Sequence, residues 1–184
     1  MKCPVCRNTE LELTDIDVGL GAGVCPKCNG KWISFQSYEA WLDFGHQIPA
    51  SSGEEANQVG TIPEFERARI CPRCGRILTK YKIETESWLN IDRCSNCAGA
   101  WLDADDWEAL KSRNLHFALH KIFTDHWQHE ISREETRQTL AEIYSKKFGR
   151  ENFERIREFK RWIFDQENRE EILSYLRDNN PLQI

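Results

Sequence analysis

Eight cysteines, all in Cys-x-x-Cys pairs, constrain this chain more than any other feature of it. Cys71-Pro72-Arg73-Cys74 is followed nineteen residues later by Cys94-Ser95-Asn96-Cys97. That spacing is the one expected when four thiolates converge on a single metal. A borderline-soft ion without geometric demands of its own, Zn2+, suits such a tetrahedron. The chain repeats the device: Cys3-Pro4-Val5-Cys6 precedes Cys25-Pro26-Lys27-Cys28 by eighteen residues. The expected metal ligands are therefore Cys3, Cys6, Cys25 and Cys28 at one site, and Cys71, Cys74, Cys94 and Cys97 at the other. Two Zn2+ per chain follow, and no cysteine is left over as a nucleophile.

Disulfides are the competing use of paired cysteines, and they belong to oxidising compartments. Lys2, Arg7, Glu10, Glu12, Asp15 and Asp17 interrupt the first twenty residues, so these do not read as a secretory leader. No apolar run is long enough to span a bilayer. A reducing, cytoplasmic setting with metal-bound thiolates is expected. At a formal charge of −5 the chain shows no basic footprint overall, which counts against non-specific nucleic-acid binding. Loading with zinc strengthens the point, because four thiolates and one dication add −2 per site, taking the chain to about −9. Direct binding to nucleic acid is disfavoured.

The 184 residues divide into four stretches. Residues 1–44 form the first repeat. Leu11 and Leu13, then Ile16 and Val18, alternate with polar neighbours, and Gly19, Gly21 and Gly23 lead into the second knuckle, a pattern of short half-exposed strands. Ser34 is placed to cap a helix carrying Tyr38, Trp41 and Leu42. Residues 45–69 contain Pro49, Gly53, Gly60 and Pro63 and read as a linker, with helical propensity near 64–69. Such a linker leaves the two repeats free to move independently unless something docks them. Residues 70–112 are the second repeat, with Asp103 in the place of Ser34 as the expected cap and Trp107 in that of Tyr38.

Residues 113–184 lack cysteine and read as helices that pack into a small all-α bundle. Leu115, Leu119, Ile122, Phe123 and Trp127 share one helical face. Ser132-Arg133-Glu134-Glu135 is a capping-box pattern ahead of Leu140, Ile143, Tyr144 and Phe148, with Gly149 as the stop. Phe153, Ile156, Phe159 and Ile163 mark the next helix, and Asn168 the start of a last one. Such apolar stripes ordinarily pack inward. The fold class expected is α+β: two four-cysteine ribbons, each a hairpin plus a short helix, followed by a helical bundle.

Asp92, Cys94, Cys97, Gly99, Trp101, Leu102 and Asp103 give the second repeat a close resemblance to the TFIIB-type zinc-ribbon family. The first repeat is similar at Cys3, Pro4, Cys6, Cys25, Cys28, Gly30 and Trp32, but carries Gly23, Ile33 and Ser34 where the family pattern has other residues. The resemblance implies a zinc-stabilised hairpin and a partner in the transcription machinery. It says nothing of the helical tail, and a shared fold does not by itself fix function.

Nothing else in the sequence carries catalytic chemistry. There is no Ser/His/Asp pattern, phosphate-binding glycine loop or paired-acid arrangement, and no histidine or acid replaces a cysteine to leave a coordination position open, as a catalytic zinc requires. Trp32 and Trp101, directly after their knuckles, are expected to shield the metal sites. His116 and His120 lie four apart on a helix, but no further ligand completes a site with them. Lys146, Lys147, Arg150, Arg155, Arg157, Lys160 and Arg161 are interleaved with Glu151, Glu154 and Glu158, the pattern of a solvated, salt-bridged face. The leading expectation is a non-enzymatic zinc-binding adaptor docking on a protein partner such as RNA polymerase or another multi-subunit complex. The alternatives are a chaperone or complex-assembly factor and, because four thiolates also hold iron, a rubredoxin-like redox protein.

Overall fold

A computed structural model describes residues 1–45, 68–85 and 89–178. Most of the stretch read as a linker, residues 46–67, lies outside the described residues, as do residues 86–88 and 179–184. Two compact units emerge, Met1–Arg133 and Glu134–Ile184.

The first unit is built on one six-stranded antiparallel sheet. Each repeat supplies three strands: β1 (Glu12–Asp17), β2 (Leu20–Val24) and β3 (Lys31–Ile33) from the first, β4 (Thr79–Lys82), β5 (Asn90–Arg93) and β6 (Ala100–Leu102) from the second. Their order across the sheet is β1-β2-β3-β6-β5-β4. The seam is β3 against β6, where Lys31 pairs with Leu102, Trp32 with Trp101 and Ile33 with Ala100. The equivalent tryptophans meet on a local two-fold axis, which swaps the pairs on either side of them. The ribbons do not move independently; they are halves of one sheet. A ribbon of this size cannot bury enough apolar surface alone, and pooling two hairpins makes a common core.

Side chains on a strand alternate between faces, and the short strands use both. Leu20, Ala22, Ile33, Ile91, Ala100 and Leu102 face helices α1 (Phe35–Gly45), α2 (Asp106–Ser112) and α3 (Leu119–Ile122), with Tyr38, Trp41, Trp107 and Leu110 completing that core. Trp32 and Trp101 point the other way, among Cys3, Cys25, Cys71 and Cys94. The stretch read as one helical face is broken, with Leu115 ahead of α3, Phe123 just after it and Trp127 in the next helix, yet all three pack against the helix-side core. Leu13 stays exposed on the edge strand β1, and Ile77, in an isolated bridge with Ile70 outside the sheet, is exposed as well. The β4 edge is closed at Lys82 by Gln128, whose side-chain amide takes the Lys82 N–H at 3.1 Å and donates to its carbonyl at 2.8 Å.

Local signals decide the helix starts. Ser34 Oγ accepts the Ser37 N–H at 3.0 Å and caps α1 as expected. Asp103 does not cap α2: its carboxylate is taken by Arg69 and by the Trp101 indole N–H, and its own N–H donates to Asp106 Oδ2 at 2.6 Å. Ser132 does not start a helix either. It lies inside α4 (Asp125–Phe148), which begins after Thr124, whose Oγ1 accepts the Trp127 N–H.

In the second unit α4 continues to Phe148, Gly149 breaks the helix at φ +82°, α5 spans Arg150–Phe164 and α6 spans Arg169–Arg177. α5 packs on α6, and Ile163 is buried. The C-terminal region is thus helical, while the stripe Leu140, Ile143, Tyr144 and Phe148 remains substantially exposed. The basic stretch is mixed in sign as read, with Arg150 Nε 3.6 Å from Glu154. No described helix is long and apolar enough to cross a membrane.

Candidate metal centres

All four Cys-x-x-Cys pairs fold into the same knuckle. The residue after each second cysteine adopts a left-handed backbone: Arg7, Asn29, Gly75 and Ala98 have φ of 60°, 55°, 73° and 56°. Its N–H returns to the carbonyl of the first cysteine, at 2.8 Å for Arg7, 2.9 Å for Asn29, 3.0 Å for Gly75 and 2.9 Å for Ala98. This turn leaves backbone N–H groups aimed at sulfur, as Cys6 N–H on Cys3 Sγ at 3.3 Å illustrates.

The knuckles meet in two clusters. Cys3, Cys6, Cys25 and Cys28 form one, Cys71, Cys74, Cys94 and Cys97 the other, with ligand atoms all within 4.8 Å of one another in each. Among them Cys3–Cys28, Cys71–Cys97 and Cys74–Cys94 approach to 3.6, 3.5 and 3.4 Å. A tetrahedron with Zn–S bonds of about 2.3 Å has sulfurs about 3.8 Å apart, whereas a disulfide needs about 2.05 Å. The clusters have the dimensions of zinc sites, and all eight thiols are free.

The donor set explains why a dication belongs there. Burial pushes the Cys25 and Cys94 thiols up, but N–H donors from Cys28 and Lys27, and from Cys97 and Asn96, together with neighbouring sulfurs, outweigh it and bring both to about 7. Burial raises Cys3, Cys28 and Cys97, and Cys71 is pushed up to about 12 by burial with Cys97 and Cys74 beside it. Four sulfurs held this close call for a cation to balance their negative charge. Four donors from two knuckles close each site, and both clusters are positioned for one Zn2+ each.

The tryptophans hold a surprise. A Cβ on Gly30 would overlap Cζ2 of Trp101 and stand 2.8 Å from its Cη2; a Cβ on Gly99 would overlap Cζ2 of Trp32 and stand 2.9 Å from its Cε2. Each tryptophan thus crosses the seam and lies on the glycine that follows the other repeat's second knuckle. Burying an indole removes about 150–250 Å2 from water, worth about 4–6 kcal/mol each. They lie among the buried cysteines, as expected of shields, and each also packs on the other repeat's glycine.

The second ribbon has a polar clamp that the first lacks. Arg69 Nη1 donates to Asp92 at 2.7 Å and Nη2 to Asp103 at 2.9 Å. The equivalent positions in the first repeat are Gly23, which lies against Leu11, and Ser34, the α1 cap. Lys111 pairs with Asp17 at 3.3 Å and Lys31 donates to the Ala104 carbonyl across the ribbons, and Tyr38 donates to the carbonyl of His116, just beyond the second ribbon, at 2.7 Å. Burial pushes Asp106 up to about 7, with the Asp103 charge adding to it and Arg69 and Lys31 opposing. His116 is buried among Trp41, Trp107 and Phe117, and no third metal cluster occurs among the described residues.

Residues 70–113 match the transcription factor zinc-finger family. The match covers the second ribbon; the first is a ribbon by its fold and its four-cysteine cluster. No curated protein and no solved structure matches the chain.

Proposed function

We propose that this protein is a non-enzymatic zinc-binding adaptor that docks on a protein of the transcription machinery, RNA polymerase or another multi-subunit complex. The observation that carries the reading is the second ribbon's match to a transcription factor zinc-finger family, in a chain whose two thiol clusters are both closed. Closed four-cysteine sites hold structure rather than turn over substrate. Cys3, Cys6, Cys25 and Cys28 hold one Zn2+, and Cys71, Cys74, Cys94 and Cys97 the other. Each ion contributes on the order of 10 kcal/mol to folding.

The double ribbon offers an outer edge, β1, with Glu12 and Asp15 exposed on it and Glu10 exposed just ahead of it. A zinc-loaded protein of about −9 net charge, with this acidic rim, suits a basic protein surface better than a nucleic-acid backbone. Docking of this kind weakens as salt rises. The protein acts in the cytoplasm, where thiolates stay reduced. The test is purification of the C-terminally tagged protein from native cells with nuclease present. RNA polymerase subunits that survive nuclease support the reading; their absence, with a different complex recovered, removes it.

A second reading, a chaperone or assembly factor, is favoured by the exposed apolar side chains of α4 and α5. Recovery of an assembly intermediate in place of polymerase subunits is its signature. The rubredoxin-like alternative predicts a coloured protein with iron, against a colourless one with two zinc ions.

A further inference from the structure

Granted the protein-docking reading on which this rests, we propose that the outer edge of β1 takes up a strand from the partner: a basic extended segment paired along Glu12–Asp15. A sheet edge carries a row of N–H and C=O groups with no strand to pair them. The two edges of this sheet come from equivalent hairpins but differ in how far they are covered. Beside β4, the Leu78 N–H donates to the Arg69 carbonyl at 2.9 Å, and Gln128 closes the edge at Lys82. Beside β1, Lys2 bridges Glu10 and the Leu11 N–H donates to the Met1 carbonyl at 2.8 Å. Backbone groups alternate sides along an antiparallel strand. Leu13 and Asp15 therefore present theirs on the same outer side as Leu11, while Glu12 and Thr14 turn theirs to β2. Among the described residues nothing takes the outward groups of Leu13 or Asp15. The bulge between Asp15 and Asp17 ends this open window.

The side chains of the window also lack partners. Opposite Leu13 and Asp15 on β2 stand Gly23 and Gly21, so neither has a cross-strand side chain to pair with. Such pairs are the unit of sheet stabilisation. Leu13 is 86 % exposed, and Glu12 and Asp15 are exposed and outside any ion pair among the described residues. The acids flanking the window are engaged: Glu10 lies 3.9 Å from the Met1 amino group and Asp17 3.3 Å from Lys111 Nζ. Charge then selects the occupant. Residues 10–17 contain four acids and no base. A second copy pairing through this edge would set acid against acid, and like charges directly opposite destabilise a ladder. The same acids that guard the edge against self-association favour a strand with Lys or Arg opposite Glu12 and Asp15. Directly opposed residues share a face, so the position opposite Leu13 suits an apolar side chain. In antiparallel order the segment reads basic, any residue, apolar, basic. Main-chain bonds supply its affinity and the alternating side chains its specificity.

The test titrates a capped Ser-Lys-Thr-Val-Arg-Ser peptide into the full zinc-loaded chain and follows amide hydrogen exchange by NMR. Exchange should slow at Leu13 and Asp15, and stay as it was at Glu12 and Thr14, which β2 already bonds. Leu13→Pro removes an outward N–H without touching a β1–β2 bond, a place where an edge strand tolerates proline. It should weaken binding by about ten-fold or more. Glu12→Lys with Asp15→Lys, at unchanged zinc content and circular dichroism, should lose this peptide and gain one with Glu at both basic positions. A parent chain that does not bind the basic peptide overturns the proposal. So does binding that leaves exchange at Leu13 and Asp15 unchanged, or that survives the charge reversal. In the native-cell purification, a partner still held by Leu13→Pro overturns the edge and leaves docking standing, whereas a parent that recovers no protein removes docking itself.

Discussion

Replacing Gly99 by alanine probes the reciprocal lock at a single atom. Gly99 is not in the left-handed region, so alanine meets no backbone penalty there; its only cost is the Trp32 ring. That ring is 2 % exposed and wedged among buried cysteines, so it cannot swing aside. Strands β3 and β6 must part instead, which strains the seam. Overpacking of this kind costs about 1–3 kcal/mol, and the seam's loosening puts the expected value at its upper end, about 3 kcal/mol. With a slope of about 2 kcal/mol per molar, the urea midpoint falls by roughly 1.5 M. The assay is urea unfolding followed by far-UV circular dichroism with zinc present. The double-mutant cycle makes it decisive. Trp32→Ala alone costs about 3–5 kcal/mol. In that background Gly99→Ala should cost almost nothing, giving a coupling of about 2–3 kcal/mol. If Gly99→Ala costs the same with and without the Trp32 ring, the lock does not exist. Gly30→Ala with Trp101→Ala repeats the cycle from the other side.

Three further outcomes follow from the same geometry. Cys94→Ser should lower zinc content below one per chain by elemental analysis, since losing one site unseats the shared sheet, while helical signal from the second unit persists. Arg69→Ala strands the buried Asp92 carboxylate and should cost about 2–3 kcal/mol in urea unfolding, discounted from a fully buried pair because the arginine is partly exposed; Arg69→Lys should recover only part of it. Asp106, raised to about 7 in the fold, stays protonated there after the unfolded chain has ionised. Its contribution is therefore full below the ordinary carboxylate pKa and is lost as pH rises towards 7. The stability advantage of Asp106→Asn over the parent should grow from pH 5 to pH 8 and level off above it.

What was legible in the sequence was local. Cys-x-x-Cys spacing places two sulfurs by one turn, so the ligand sets and the repeated knuckle could be read off residue by residue. Gly149 and Asn168 marked helix boundaries because backbone conformation and capping are properties of a few neighbouring residues. The seam was not legible in that way. Trp32 and Trp101 meet across a segment that separates them by 69 positions, and a tryptophan beside a metal knuckle reads as a shield for that knuckle. A signal was nonetheless present: both repeats carry Gly-x-Trp in the same phase, and a motif that pairs glycine with a large ring is complementary to a second copy of itself. Asp103 failed as a cap because Arg69 and the Trp101 indole, neither of them helical neighbours, compete for its oxygens. The stripe on α4 was expected to pack inward, yet Leu140, Ile143, Tyr144 and Phe148 stay substantially exposed, because periodicity defines a face and not what lies against it.

The account rests on the two ribbons forming one cooperative unit, and zinc removal tests that most directly. A chelator is titrated into the two-zinc protein and the species are counted by native mass spectrometry. Because each tryptophan braces the other repeat's knuckle, loss of the first ion should loosen the second site, leaving two-zinc and zinc-free chains with little between them. A one-zinc species that accumulates as the main form, with its remaining ribbon folded, would contradict the account and return the ribbons to independence.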